Sequence, residues 1–153
     1  MKSIMTAVLL TAALASPVLA HGQVPFRGTV EGLDSDAGGA FPVFLRSVSG
    51  RGHASLLGRF TMTAEFQVNV LFDPVEGMGS FTLTAANGDT LFGTSTGLGV
   101  VIEGIAYIKE THTITGGTGR FANATGTFVA GRVLVEATGM FASSFEGTID
   151  LHP

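Results

Sequence analysis

The chain has 153 residues, enough for one domain with a sizeable core and too few for two ordinary ones. It has no cysteine, which removes thiol catalysis, thiolate zinc sites, iron–sulfur clusters and disulfide staples together. A formal charge of −4 with eight Lys and Arg gives no basic run to hold nucleic acid or an anionic membrane surface.

Residues 1–20 read as a signal peptide. Lys2 supplies the positive start, residues 4–15 form an apolar run, and Ser16-Pro17 breaks it. Val18-Leu19-Ala20 places suitable residues for cleavage after Ala20, leaving residues 21–153 as one β-barrel domain. The apolar run is about a dozen residues, short of the roughly 20 that span a bilayer. The mature protein is therefore expected to be secreted or periplasmic, with no membrane contact after cleavage.

The mature sequence has an all-β composition, with 22 Gly, 12 Phe and abundant Thr and Val. Residues 26–31 (FRGTVE) form a first strand, followed by an expected loop at 33–40 (LDSDAGGA). Residues 41–48 form a strand edged by Pro42, and 49–53 (SGRGH) a second glycine-rich loop. Residues 60–72 carry the clearest alternation, with Phe60, Met62, Ala64, Phe66, Val68, Val70 and Phe72 on one face. Strands at 80–85 and 90–94 are joined through Asn87-Gly88, the pair that favours a type I′ hairpin turn. Strand signal then runs from 100 to 115, returns at 127–137, and ends at 144–151. Over 127–137, Val129, Val133 and Val135 share one face, while Arg132 and Glu136 share the other.

The two ends of the chain nearly repeat each other, FRGTVE against FEGTID (residues 145–150). Strands with matched alternation at opposite chain ends suit neighbours that seal a sheet and leave no open edge. The expected fold is an all-β, closed antiparallel barrel of about eight strands, with a β-sandwich as the alternative.

Between two of these strands lies ITGGTGRF (residues 114–121), with Gly126 following. Gly116, Gly117, Thr118, Gly119, Phe121 and Gly126 resemble the GGTG-x-F…G signature of the allene oxide cyclase and dirigent barrel superfamily. The segments LGRF (57–60) and ANGD (86–89) look like those of uncharacterised bacterial exported members. The resemblance implies an eight-stranded barrel whose apolar cavity holds a small lipophilic or phenolic molecule, with no metal or organic cofactor. In the cyclases the cavity directs a ring closure, and in dirigent proteins it orients a reactive intermediate. Such barrels often form dimers or trimers, so a homo-oligomer is expected on the same ground. The motif itself is structural in the family, and no catalytic residue carries over to this chain.

The residues carry few chemical signatures of their own. The Gly116–Gly119 run is followed by Phe121 and more strand, so it reads as a tight turn and not a phosphate cradle at a helix start. Asp34-Ser35-Asp36 opens like a calcium loop, but its twelfth position is Leu45 and no Glu stands there; a solvated acidic loop is the better reading. His21, a new N-terminus after cleavage, is a weak copper candidate with no second imidazole at a telling spacing. His112 and Glu110 share a strand face, and a surface pair is the plainer reading.

The candidates for lining a lumen are Tyr107, the single tyrosine, and the charged Glu65, Glu103 and Arg132. Three readings follow. The preferred one is an exported, non-enzymatic barrel that binds a small hydrophobic ligand or serves as a scaffold. The alternatives are a cofactor-free cyclase, isomerase or dirigent-like protein acting in the lumen, and a metal-binding exported protein using His21.

Overall fold

The computed structural model describes residues 22–152. The expected signal peptide, its expected cleavage point and His21 lie outside the described residues.

Eight strands run in chain order: β1 Gln23–Ala40, β2 Val43–Ala54, β3 Gly58–Asn69, β4 Val75–Ala85, β5 Thr90–Ile102, β6 Ile105–Gly117, β7 Thr125–Val135 and β8 Met140–Asp150. Each pairs antiparallel with its neighbours, and β1 also pairs with β8, from Gln23↔Asp150 to Leu33↔Met140. The sheet is thus a closed up-and-down barrel, and the sandwich alternative falls. The near-repeat at the two chain ends is the seam, and closure leaves no strand edge open to another chain.

Several boundaries depart from the sequence reading. The expected loop at 33–40 is the second half of β1, and the glycine-rich stretch 49–53 lies inside β2. Glycine serves close approach there: a Cβ on Gly52 would meet the Thr29 carbonyl of β1 and the Phe60 ring. The continuous signal from 100 to 115 hides a reversal at Glu103-Gly104, where φ is 50° and 79°. Two positive φ values in a two-residue loop mark a type I′ turn, so that turn lies here and not at Asn87-Gly88. The β4–β5 hairpin exists, but only Gly88 has positive φ, at 91°. Asn87 instead accepts from the Asp89 N–H through its side chain, 3.1 Å, which stabilises a longer loop. β3 stops at Asn69, whose side chain accepts from the Leu71 N–H (3.1 Å) and starts the turn towards Pro74.

The inward positions divide the barrel into two halves. One end carries the connections at 55–57, 86–89 and 118–124, and it is packed with aromatic rings. Phe128 lies 5.3 Å from Phe26, 5.0 Å from Phe145 and 5.5 Å from Phe81, centroid to centroid, within the favourable range for aromatic pairs.

The GGTG corner closes this end. A single 3-10 turn, Gly119–Phe121, follows Thr118, and Phe121 and Ala124 are fully buried. Thr118 Oγ1 accepts from the Thr90 N–H (3.0 Å), which ties the corner to β5. A Cβ on Gly117 would strike the carbonyls of Thr90 and Phe121, and Gly119 sits at φ +59°. The motif is thus a close-packed corner, as its glycines indicated.

Candidate ligand site in the barrel lumen

The other half of the lumen is open. Its inward positions include Gly77, Gly97 and Gly99, with Val68, Val75, Val101, Ala106 and Ile108, so apart from Phe44 and Phe66 its apolar wall is built of small and aliphatic side chains where the first half is packed with rings. The result is a cavity of about 310 Å³ whose mouth lies at the connections 41–42, 70–74, 103–104 and 136–139. That volume is at the lower end of the ~300–1,000 Å³ typical of small-molecule sites.

A belt of buried polar side chains forms the cavity floor, each on the inward phase of its strand. Arg132 of β7 donates from Nη1 to Asp34 Oδ2 of β1 (3.2 Å) and from Nη2 to Glu110 Oε1 of β6 (2.8 Å). Arg46 of β2 donates from Nε to Asp34 Oδ1 at 2.7 Å. The Arg132 guanidinium sits between the Phe66 and Phe141 rings, 5.4 Å from each centroid. Its Nε–H is buried and, among the described residues, has no partner. A second space of about 20 Å³, bordered by Arg132, His112 and Ser143, has room for one water beside it.

His112 links this belt to the filled half. It stacks on Phe128 at 4.5 Å, and its Nδ1 lies 2.6 Å from Ser95 Oγ. Its Nε2 is 3.9 Å from Glu110 Oε2, too far for a hydrogen bond. Burial pushes the His112 pKa down to about 4, and the Arg132 charge adds to this, so the ring is neutral at physiological pH. Burial pushes the Glu110 carboxyl up, with Asp34 acting in the same direction, although Arg132 pulls the other way.

Of the four lumen candidates only Arg132 is in the lumen. Glu65 and Tyr107 project from the outer face, Tyr107 with 48% of its surface exposed, and Glu103 stands in the β5–β6 turn. They occupy the strand phase opposite to Phe66 and Ala106, their buried neighbours. The reading of Glu110 and His112 as a surface pair is likewise overturned: both are buried, at 3% exposure. Asp34 is not in a solvated loop but at the centre of the belt.

Asp34 and Arg46 are not among the lumen candidates read from the sequence, although each shares the strand parity of buried residues. Asp34 follows Phe26 and Val30 at even steps, and Arg46 lies two residues from the buried Val48. On β7 parity also corrects the obvious choice, because Val129, Val133 and Val135 face out while Phe128, Ala130, Arg132 and Leu134 face in. Among the described residues no group of three or more metal-ligating side chains converges.

No protein-family model matches the chain, and no curated protein matches it. The site must speak through its geometry.

Proposed function

We propose that this chain is an exported, non-enzymatic barrel that binds one small, largely apolar molecule in the open half of its lumen. The observation that carries this reading is the 310 Å³ cavity, apolar on its walls and polar at its floor. A barrel serving only as a scaffold gains nothing from leaving that space unfilled, since unfilled core volume costs stability. The GGTG resemblance supports the same reading, because the superfamily it points to holds lipophilic or phenolic molecules in such a lumen.

Titration with the neutral fluorescent probe N-phenylnaphthylamine tests this. Wild type should enhance its emission saturably, and Gly99→Leu, which places an isobutyl group in the cavity, should lose the signal while keeping its fold. Equal enhancement in both proteins, or none in either, refutes binding in the lumen.

One observation favours the cofactor-free isomerase reading: Glu110 lines the cavity as a carboxyl held towards its protonated form, the state required of a general acid. Conversion of a bound ligand by wild type but not by Glu110→Gln would establish it over simple binding. The expected homo-oligomer finds its support on the outer face of β5–β7, where Leu98, Val100, Tyr107 and Val133 are exposed. Native mass spectrometry reads that state directly.

A further inference from the structure

The polar atoms of the lumen are unequally occupied. Both Asp34 carboxylate oxygens are taken, one by Arg46 and one by Arg132. Arg132 is enclosed, with its side chain 6% exposed and both terminal nitrogens donating to acids. Arg46 differs. Its side chain is 30% exposed, it lines the cavity, and beyond its Nε bond it makes only a long 3.5 Å contact from Nη2 to the Asp34 carbonyl. Its Nη1 has no partner among the described residues, so Arg46 is the lumen guanidinium with accessible N–H donors to spare, whereas the unpartnered Nε–H of Arg132 is enclosed. A guanidinium presents such donors as a planar fork, the geometry that suits a carboxylate.

Charge completes the description. Two arginines face two acids on the floor, so a fully ionised belt has no net charge. An anion brought into this low-dielectric space must be neutralised, and the belt holds one group suited to that. Glu110 Oε2 makes no hydrogen bond, and Oε1 accepts only from Arg132.

We propose that the lumen takes an organic acid, an apolar body ending in a single carboxylate, held by the free N–H groups of Arg46 while Glu110 takes up one proton. This rests on the lumen-binding reading above and specifies its ligand. The balance is simple. The ligand enters as its anion, Glu110 passes from carboxylate to carboxylic acid with a proton from solvent, and the net charge of the lumen is unchanged. Burial already raises the Glu110 pKa, which makes this the acid on which a proton is held at least cost. The other titratable or charged groups around it are Asp34 from β1, Arg46 from β2, His112 from β6, Arg132 from β7, and Glu136 from the β7–β8 connection at the mouth. The inward neighbours from β3, β4, β5 and β8 (Phe66, Gly77, Gly97 and Ser143) carry no charge.

Calorimetric titration of the wild-type protein with decanoate and with decanol, in two buffers of different ionisation enthalpy, tests the proposal. At about pH 6, where the free acid is ionised, decanoate should bind roughly tenfold or more tighter than decanol, as a charge-assisted hydrogen bond implies. Its affinity should fall as pH rises towards about 8, with proton uptake approaching one per ligand, while decanol takes up none. Arg46→Gln should weaken decanoate about tenfold and decanol less than about twofold. Glu110→Gln should abolish the proton uptake.

Decanol binding as tightly as decanoate, or decanoate binding without proton uptake, overturns the proposal while leaving the lumen-binding reading intact. Binding of neither compound ends both. Should Arg46→Gln fail to fold, the wild-type ratio and proton count decide alone.

Discussion

The two halves of this barrel are built from the same eight strands, yet one is solid and the other hollow. In the solid half, inward positions hold Phe26, Phe60, Phe128 and Phe145, sealed by Phe121 from the GGTG corner. In the hollow half, the same strand phase holds Gly77, Gly97, Gly99 and a set of valines, with Phe44 and Phe66 as its only rings among the lining residues. An eight-stranded barrel has an interior just wide enough for side chains to fill, so residue size at inward positions decides which state results. Filled and open space are thereby separated along one axis: rings hold the closed end together, and smaller side chains leave room at the other. The polar belt of Asp34, Arg46, Glu110 and Arg132 lies where the two regimes meet.

Substitutions at six positions test this division, taken from the largest effect downwards. Gly117→Val at the solid end should cost about 3–5 kcal/mol or prevent folding, because the new side chain has two backbone carbonyls in its way. Urea denaturation followed by circular dichroism would read this, and a variant as stable as wild type would remove the corner's structural role.

Arg132→Met at the boundary leaves Glu110 without its donor and should cost about 3–5 kcal/mol, the usual penalty for breaking a buried ion pair. Adding Glu110→Gln should return part of the loss, since the orphaned charge is then gone. A double variant no more stable than the single one would show that the pair is not coupled.

Acid stability probes the same boundary. The folded His112 pKa lies near 4 against the ordinary 6.5, so the unfolded chain binds more protons between those values. Its contribution is therefore present above 6.5 and is lost as pH falls towards about 4, an effect of about 3 kcal/mol. Glu110 acts with the opposite sign. Its raised folded pKa stabilises at low pH, and that contribution is lost as pH rises through the folded value. The slope of the urea midpoint against pH should accordingly flatten or reverse in His112→Phe and steepen in Glu110→Gln. Unchanged slopes in both variants would show that neither group titrates across the unfolding transition.

The smallest effects belong to the hollow half and the outer wall. A Cβ on Gly99 has one tight neighbour, Ile108 Cγ1 at 3.3 Å, so Gly99→Leu should change stability by about 1 kcal/mol or less while abolishing probe binding. Tyr107→Phe, on the outside, should change neither stability nor lumen binding beyond about 0.5 kcal/mol. Loss of lumen binding in Tyr107→Phe would return that residue to the site.

Much of the fold was legible in the sequence because its signals are local. Period-two alternation over residues 60–69, the matched chain ends and the GGTG corner depend on neighbours a few residues apart, and they specified a closed barrel of about eight strands. Strand limits were less legible wherever glycine served close packing of adjacent strands, as in β1 and β2, because composition alone equates glycine with a loop. The floor of the site was read poorly for a related reason. Alternation sorts residues into two faces without saying which face is inside, and on β7 the valine face is the outer one.

What the sequence determined by itself is the barrel, its seam and its glycine corner, each fixed by backbone geometry and short-range pattern. Only the tertiary structure brought Asp34, Arg46, Glu110 and Arg132 together, from strands as much as 98 residues apart, and placed Tyr107 and Glu65 outside. The physical reason is closure: once the sheet curls on itself, one phase of every strand converges on a shared interior. The charges on that phase must then pair with one another for want of water.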